Sequence, residues 1–167
     1  MTYLQLVNSV LRRLREDEIA TIENSTDSYV RLIGEFVNDA RRIVEDAWDW
    51  SALRNTITVS TTDDIFTYSM TGTNNSFKVL DVINDTSNFF MRPASSKWMN
   101  NAYLVNEPVK GSPEYYSWNG VDANGNALVD LYPKPDQAYV LRFNIVDRAD
   151  AFTSDTERLG VSWGAVS

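Results

Sequence analysis

With 167 residues, 43% of them hydrophobic, the chain is long enough to bury about 70% of its unfolded surface in one core or in two small lobes. It contains no cysteine and no histidine, which excludes disulfides, thiolate catalysis and zinc–thiolate sites and removes the commonest general base. Its formal net charge of −8 argues against tight binding to phosphate backbones, because such binding requires clustered lysine and arginine.

The N-terminal residues predict a helix over residues 3–15. Thr2 and Gln5 match the capping-box pattern, in which two side chains satisfy two free backbone N–H groups. Apolar residues then recur at helical spacing, at Tyr3, Leu6, Val7, Val10, Leu11 and Leu14. A loop that ends in several possible N-cap residues, at 24–27, follows this helix.

A longer helix is predicted over residues 28–47. Its apolar residues recur at steps of three and four, the spacing of a helix that packs lengthwise against other helices: Tyr29, Ile33, Phe36, Ala40, Ile43, Ala47 and Trp50, widened by Val30, Val37 and Val44. The opposite face is expected to be charged and exposed, with Arg31, Glu35, Asp39, Arg41, Arg42, Glu45 and Asp46. The two helices are expected to form an antiparallel pair that leaves room for a third partner.

From Asn55 the side chains alternate with the two-residue period of half-buried strands. Strands are predicted at 55–60, 66–70, 77–83, 88–91, 115–118, 127–132 and 138–146, with a hairpin turn between the first two. Asn124-Gly125 is a further hairpin signal, and Pro93 is expected in the first turn of a short helix that ends near Tyr103. These spacings predict an antiparallel β-sandwich or small barrel of six or seven strands.

The last part of the chain returns to a helical pattern. Ser154 and Glu157 match the capping box again, and Leu159, Trp163 and Val166 share one helical face. The predicted fold class is therefore α+β, with a helical domain of residues 1–54 that residues 149–167 complete, and an antiparallel β domain of residues 55–148.

Two kinds of binding site have partial sequence support. Residues 122–126 match the first half of a calcium loop, but Ala127 stands where that loop has glycine and Pro133 where it has a bidentate Glu, so a hairpin turn is the preferred interpretation. Paired carboxylates beside aromatic residues could serve glycoside hydrolysis; the candidates are Asp63, Asp64, Asp81, Asp85, Asp122 and Asp130 with Trp98, Tyr115, Tyr116 and Trp118. None stands in a recognisable motif, so we predict no catalytic residue, no cofactor, no metal and no enzymatic activity.

Two tryptophans follow the long helix directly. Trp48 and Trp50 could form a binding platform, but Trp50 continues the spacing of the apolar residues. The preferred interpretation is a hinge plug at the point where the helix passes into the sheet.

Four stretches together form a pattern that covers most of the chain. They are residues 3–14, Phe36-Val37-Asn38-Asp39-Ala40, residues 44–54 with Asp46-Ala47-Trp48-Asp49-Trp50-Ser51-Ala52-Leu53-Arg54, and the proline-rich turn at 132–136. In this pattern the chain resembles the head-to-tail adaptor proteins of tailed bacteriophages, also called connector or tail tubular proteins. The resemblance implies a ring, commonly of twelve copies, that is inserted between the portal and the tail tube.

The expected partners are copies of the chain itself, the portal protein and a tail tube or nozzle protein, while DNA passes through an acidic channel without sequence-specific binding. The expected location is the head–tail junction of the virion, and the host cytoplasm during assembly. No run of 18 apolar residues predicts a membrane span.

Three groups of residues are assigned to these contacts. Arg31, Glu35, Arg41, Arg42 and Glu45 are expected between subunits, and the polar turns at 71–75 and 122–126 are expected to face the next tail component or the lumen. Phe152, Leu159 and Trp163 are expected to dock on the portal, or else to complete the third face of the helix pair. The rival function is a monomeric carbohydrate-binding or glycan-degrading module of a phage tail.

Overall fold

The computed structural model describes residues 1–73 and 76–159, which form an α+β fold. The chain divides into two compact units. The helical unit consists of Met1–Leu53 and of the chain from Arg148 onward, and the β unit consists of Arg54–Asp147. Each unit has a hydrophobic core of its own.

Two helices dominate the helical unit, and both begin where their capping residues predict. Helix α1 spans Tyr3–Leu14, and the capping box is confirmed because Thr2 and Gln5 exchange hydrogen bonds between side chain and backbone. Helix α2 spans Ser28–Asp46, and the Asp27 carboxylate accepts a hydrogen bond of 2.9 Å from the Tyr29 N–H. A short 3-10 turn, Ser51–Leu53, precedes the β unit.

The core of the helical unit draws on both helices and on the C-terminal segment. Its buried residues are Tyr3, Val7 and Leu11 from α1, Ile22 from the connection, Val30, Ile33 and Val37 from α2, and Phe152. A β-carbon on Gly34 would lie 2.7 Å from the Ile22 Cδ1 atom and closer still to the Tyr3 hydroxyl. Glycine therefore allows α2 to approach these two side chains.

Residues 154–159 form a turn and a bridge, so the helix predicted to start at Ser154 is wrong for these residues. The Glu157 carboxylate accepts hydrogen bonds from the N–H groups of Thr153 and Ser154, which lower the pKa of that carboxyl. The Glu157 carbonyl accepts from Tyr3 N–H at 2.8 Å. The segment is thus held both by hydrogen bonds to its own Glu157 and by a hydrogen bond to α1. Residues 160–167, with Trp163 and Val166, lie outside the described residues.

The described part of the β unit contains eight strands in two sheets. The strands are β1 Arg54–Ser60, β2 Thr67–Ser69, β3 Phe77–Asn84, β4 Phe89–Phe90, β5 Arg92–Pro93, β6 Tyr115–Val121, β7 Ala127–Tyr132 and β8 Val140–Asp147. The sheet orders are β1-β8-β3-β4 and β2-β7-β6-β5. Only the short β5–β6 pair is parallel among these pairings.

The hairpin predicted between the first two strands is wrong. Strand β1 pairs with β8, and β2 pairs with β7 in the other sheet. The turn at 61–66 carries the chain from one sheet to the other, because Thr61 N–H donates to the Tyr139 carbonyl and the Phe66 carbonyl accepts from Leu131 N–H. The Asn124-Gly125 hairpin is confirmed between β6 and β7.

Pro93 lies in β5 and not in a helix, which corrects a second prediction. Helix α3 spans Ser96–Asn100 after Ser95, whose hydroxyl accepts from the Trp98 N–H, and a π-helical turn continues to Val105. The residue before a proline favours extended backbone. That preference agrees with a short strand at Arg92–Pro93.

Both sheets contribute to the core of the β unit. Leu141, Phe143 and Ile145 of β8 are fully buried. Their partners in the other sheet are Val129 and Leu131 of β7, which are fully buried too.

The helical unit should depend on Phe152. Its ring is 5% exposed and stacks on Tyr3 with centroids 5.2 Å apart. We expect Phe152→Ala to lower the free energy of unfolding by about 3–5 kcal/mol, because it removes a buried aromatic ring and leaves a cavity. Urea unfolding followed by helical circular dichroism measures this change. Phe90→Ala, at a side chain that is 68% exposed, is the matched control and should have little effect.

Candidate functional site

Helix α2 presents three faces, and the structure corrects which of them is buried. The buried face consists of Val30, Ile33, Gly34, Val37, Arg41 and Glu45. Of the seven residues that the spacing of three and four placed inside, only Ile33 belongs to it, and of the three valines that widen this stripe, Val30 and Val37 belong to it as well. Tyr29, Phe36, Ala40, Ile43 and Ala47 are exposed.

We call these exposed apolar residues of α2, together with Leu32, the seam. Phe36 is 57% exposed and Ile43 is 70% exposed. The seam residues recur at steps of three and four along the whole helix, so they line one side of it. The seam is therefore a continuous stripe of exposed apolar side chains along α2.

Arg41 and Glu45 do not lie on an exposed charged face, contrary to the prediction. Their side chains are only 5% and 4% exposed and form an ion pair with Arg41 Nε 2.7 Å from Glu45 Oε1. Arg41 also donates to the Asp150 carbonyl at 2.9 Å, and its guanidinium carbon lies 4.0 Å from the centre of the Phe152 ring. Two buried charges are tolerated here because each has a charged partner and the guanidinium has further contacts.

The remaining charged face carries Arg31, Glu35 and Arg42, all exposed as predicted. Arg42 lies 4.0 Å from Asp39, in a pair whose side chains are about two-thirds exposed. Such surface pairs contribute little to folding. Arg31 and Glu35 form no ion pair within the described residues, so both are available to another molecule.

The C-terminal segment lies on the buried face of α2. Asn38 binds the Phe152 backbone on both sides, donating to its carbonyl at 3.2 Å and accepting from its N–H at 2.9 Å. Leu159 is half-buried against the same core. Of the two roles left open for this segment, completion of the helix core is the one observed for Phe152, so this side chain is not accessible to a portal.

The hinge-plug interpretation is wrong for Trp48, whose side chain is 71% exposed. Trp50 is half-buried, and its indole N–H donates to the Val44 carbonyl at 2.8 Å. It therefore satisfies a carbonyl in the last turn of α2, where intrahelical donors run out.

The 122–126 turn is organised by one carboxylate. Asp122 accepts from the N–H groups of Asn124 and Asn126 and from the side chains of Asn126 and Ser69. The hydrogen bonds from the Asn126 and Ser69 side chains lower the pKa of Asp122 to about 2. Both carboxylate oxygens are thus used inside the hairpin, and the described residues contain no cluster of three or more acidic residues that could hold a metal.

The six carboxylates considered for glycan chemistry each bind a neighbouring side chain. Lys110 contacts Asp63 and Asp64, and the partners of the others are Asn144 for Asp81, Arg142 for Asp85, Ser69 and Asn126 for Asp122, and Thr67 for Asp130. Hydrogen bonds from Lys110 and Lys134 lower the pKa of Asp64 to about 2. A glycosidase acid needs a raised pKa, and the shifts at Asp64 and Asp122 are in the opposite direction.

The aromatic candidates belong mainly to packing. Trp98 is 40% exposed, but its ring lies 4.8 Å from that of Tyr115 and 5.2 Å from that of Tyr132. An open pocket of about 410 Å³ is lined by Phe77, Val79, Tyr116, Trp118, Gly120 and Ala127. No carboxylate stands among these described lining residues.

These features, two units with separate cores and an exposed apolar helix face, fit a protein that acts by contact. A family model of the SU10 adaptor protein matches residues 1–167. The chain belongs to the SU10 adaptor protein family. This membership confirms the resemblance to phage head–tail adaptors and identifies the chain as a structural adaptor of the virion. A comparison with curated proteins finds no match.

An adaptor of this family interacts with other head and tail proteins of the phage and functions as a structural component and not as an enzyme. Among the described residues, no helix is both long and apolar enough to cross a membrane.

Sequence reasoning missed the buried pair although a signal was present. Val30, Gly34, Val37, Arg41 and Glu45 follow one another at steps of four, three, four and four, which is also the spacing of one helix face. The two charges at its end made that face look polar. Opposite charges four residues apart are the arrangement that can neutralise itself.

Arg41 and Arg42, which are neighbours in α2, provide a matched test of the burial of Arg41. Arg41→Glu should lower the free energy of unfolding of the adaptor by at least about 3 kcal/mol, because it leaves two buried carboxylates without a cation. Arg42→Glu, one residue away on the exposed face, should change it by less than about 1 kcal/mol. Urea unfolding followed by helical circular dichroism compares them, and equal effects would contradict the burial of Arg41.

The contribution of Asp122 to the stability of the protein should depend on pH. Its folded pKa is about 2, below the ordinary value of 3.8, so its stabilisation is present at neutral pH and is lost as the pH falls through the folded value. We expect Asp122→Ala to lower the melting temperature at pH 7, and the gap to wild type to close between about pH 4 and pH 2. A gap that stays constant over this range would show that the carboxylate charge does not hold the turn.

Proposed function

We propose that this adaptor assembles as a ring, of twelve copies by analogy with similar adaptors, between the portal and the tail of a tailed phage. The observation that carries the proposal is the family match over residues 1–167. The exposed seam and the exposed charges of α2 support it, because a helix with two solvent-facing contact surfaces is suited to assembly.

The contacts between subunits would include Arg31, Glu35 and Arg42. These side chains are exposed and carry both signs of charge, so they can face the surface of a neighbouring copy without net repulsion. Arg41 and Glu45 lie outside this contact surface, because they are buried as a pair and Arg41 contacts Asp150 and Phe152 of its own chain.

The turn at 122–126 would face the next tail component or the lumen. It is polar, and its conformation is fixed by Asp122 on a rigid hairpin, which is how recognition loops are commonly presented. The other proposed turn, 71–75, includes residues 74 and 75, which lie outside the described residues. On the portal side, Leu159 and Trp163 remain proposed contacts, and Trp163 lies outside the described residues as well.

The channel of such a ring would be acidic. Each copy carries a formal charge of −8, and the charges of all copies would add around the lumen. Like charge repels the phosphate backbone, so DNA would slide through without being held. We further propose that α1 and α2 form an antiparallel pair and that the two sheets pack as a sandwich, since each pair shares one core.

Reconstitution tests the proposed function directly. Purified adaptor mixed with portal rings from the same phage should form a second ring on the portal, seen by electron microscopy and by native mass spectrometry, and should then recruit the tail protein. A variant that lacks Asn124 and Gly125 should still bind the portal but should fail to recruit the tail. An adaptor that stays monomeric and unbound with the portal would contradict the ring.

A further inference from the structure

Strand β1 lies at an edge of its sheet and keeps one side of its backbone free. Its seven residues pair with β8 in one uninterrupted register. The N–H of Thr61, the next residue along the chain, donates to the Tyr139 carbonyl of the same ladder at 2.9 Å. Because backbone groups point to alternate sides along a strand, those of Val59 face β8, and those of Thr58 and Ser60 face away from it.

The outward groups of β1 form an open hydrogen-bonding edge. The N–H and C=O groups of Thr58 and Ser60 form no hydrogen bond within the described residues, and both residues are exposed. At Thr56 the outward N–H is bound by the side chain of its neighbour Asn55, at 2.8 Å. A row of free backbone donors and acceptors of this kind is a template for a further strand.

The other edge strands of the two described sheets are short, whereas β1 is long. Strands β4 and β5 have two residues each, with Pro93 in β5, and β2 has three. Short strands, proline, lysine and bulges are the usual means by which a protein protects a sheet edge. Strand β1 has seven residues, contains neither proline nor lysine, and pairs without a bulge. Its edge therefore favours pairing with another strand.

We infer that β1 accepts an extended segment of the tail protein as a fifth strand of its four-stranded sheet. This inference rests on the proposed function, in which the β unit meets the tail while the proposed portal contacts, Leu159 and Trp163, belong to the C-terminal segment. The described strands of a second copy do not fill this edge. Its other edge strands have only two or three residues, and pairing of β1 with β1 uses both free edges and stops at two copies, which does not build a ring.

The side chains of β1 determine the chemistry of the segment. Ile57 and Val59 are half-buried at the margin of the core, whereas Thr56 and Thr58 are exposed. Residues opposite one another in neighbouring strands share a face of the sheet, so the segment should alternate apolar and polar residues. Arg54 is exposed and forms no ion pair within the described residues. An acidic residue of the segment is therefore expected beside Arg54.

Two substitutions at Thr58 separate backbone pairing from side-chain contact. Thr58→Pro removes only an outward N–H, which an edge strand tolerates, whereas Thr58→Val keeps this N–H and the branched shape. Each variant is assembled as a ring on the portal and titrated with purified tail protein, with binding followed by sedimentation. We expect the proline variant to bind roughly tenfold more weakly or worse, because a hydrogen bond is lost and the proline ring blocks the added strand.

The valine variant should bind the tail protein as the wild-type chain does, and both variants should keep the melting temperature of the wild-type chain. Arg54→Glu should also weaken the binding, and its effect should shrink as salt is added, because salt screens exposed charges. Equal binding by the wild-type chain and Thr58→Pro would overturn the inference.

Amide hydrogen exchange of the wild-type chain provides a second readout. In the free adaptor, the N–H groups of Thr58 and Ser60 should exchange on the order of a hundredfold faster than those of Ile57 and Val59. This difference should disappear when the tail protein binds. Protection of Thr58 and Ser60 in the free adaptor would assign the edge to the chain itself, and protection on the portal before the tail protein is added would assign it to the portal or a second copy. Either result would overturn the inference, as would exchange that the tail protein leaves unchanged.

Failure of the inference and failure of the proposed function are distinguishable. If the wild-type chain forms no ring on the portal or recruits no tail protein, the proposed function fails and the inference falls with it. If the wild-type ring recruits the tail protein and the Thr58→Pro ring recruits it equally well, the inference alone is overturned. If Thr58→Pro does not fold, the exchange of Thr58 and Ser60 in the wild-type complex decides.

Discussion

The buried ion pair between Arg41 and Glu45 is the constraint on which the helical unit depends. Neither charge could remain inside without the other, because an isolated buried charge costs several kcal/mol. Their burial in turn requires a cover, which Asp150 and Phe152 provide through a hydrogen bond and a ring contact. The pair therefore joins α2 to a segment more than 100 residues away in the sequence and fixes which side of the helix faces inward.

The burial of the Arg41–Glu45 pair also determines which surface of α2 faces outward. Once Val30, Val37 and the ion pair face the core, the second apolar stripe must face solvent, since one helix cannot turn both sides inward in a unit this small. A monomer gains nothing from exposing Phe36 and Ile43. Exposed apolar surfaces of this kind are typical of sites of contact between proteins, and the chain belongs to an adaptor family that interacts with other phage head and tail proteins.

In the β unit, a rigid core supports polar turns. Leu141, Phe143 and Ile145 lie on the central part of β8, and strands from the other sheet close the core around them. The turn at 122–126 is then held by its own aspartate, with no contribution from a metal required. Carboxylates that are catalytic candidates in the sequence thus stabilise turns and strands through hydrogen bonds, as Asp122 does with Ser69 and Asn126.

The sequence by itself determined the α+β class, both helices to within one residue, the capping box at Thr2 and Gln5, and the hairpin at Asn124-Gly125. All of these depend on local periodicity or on side chains that bind nearby backbone. Only the tertiary structure decided which stripe of α2 is buried, that β1 and β2 belong to different sheets, and that residues 154–159 form no helix. These features depend on partners distant in sequence: Phe152 for Arg41, β8 and β7 for the two strands, and Tyr3 for Glu157. Two stripes of similar apolar character cannot be ranked from periodicity, because the choice between them is made by the segment that covers one of them.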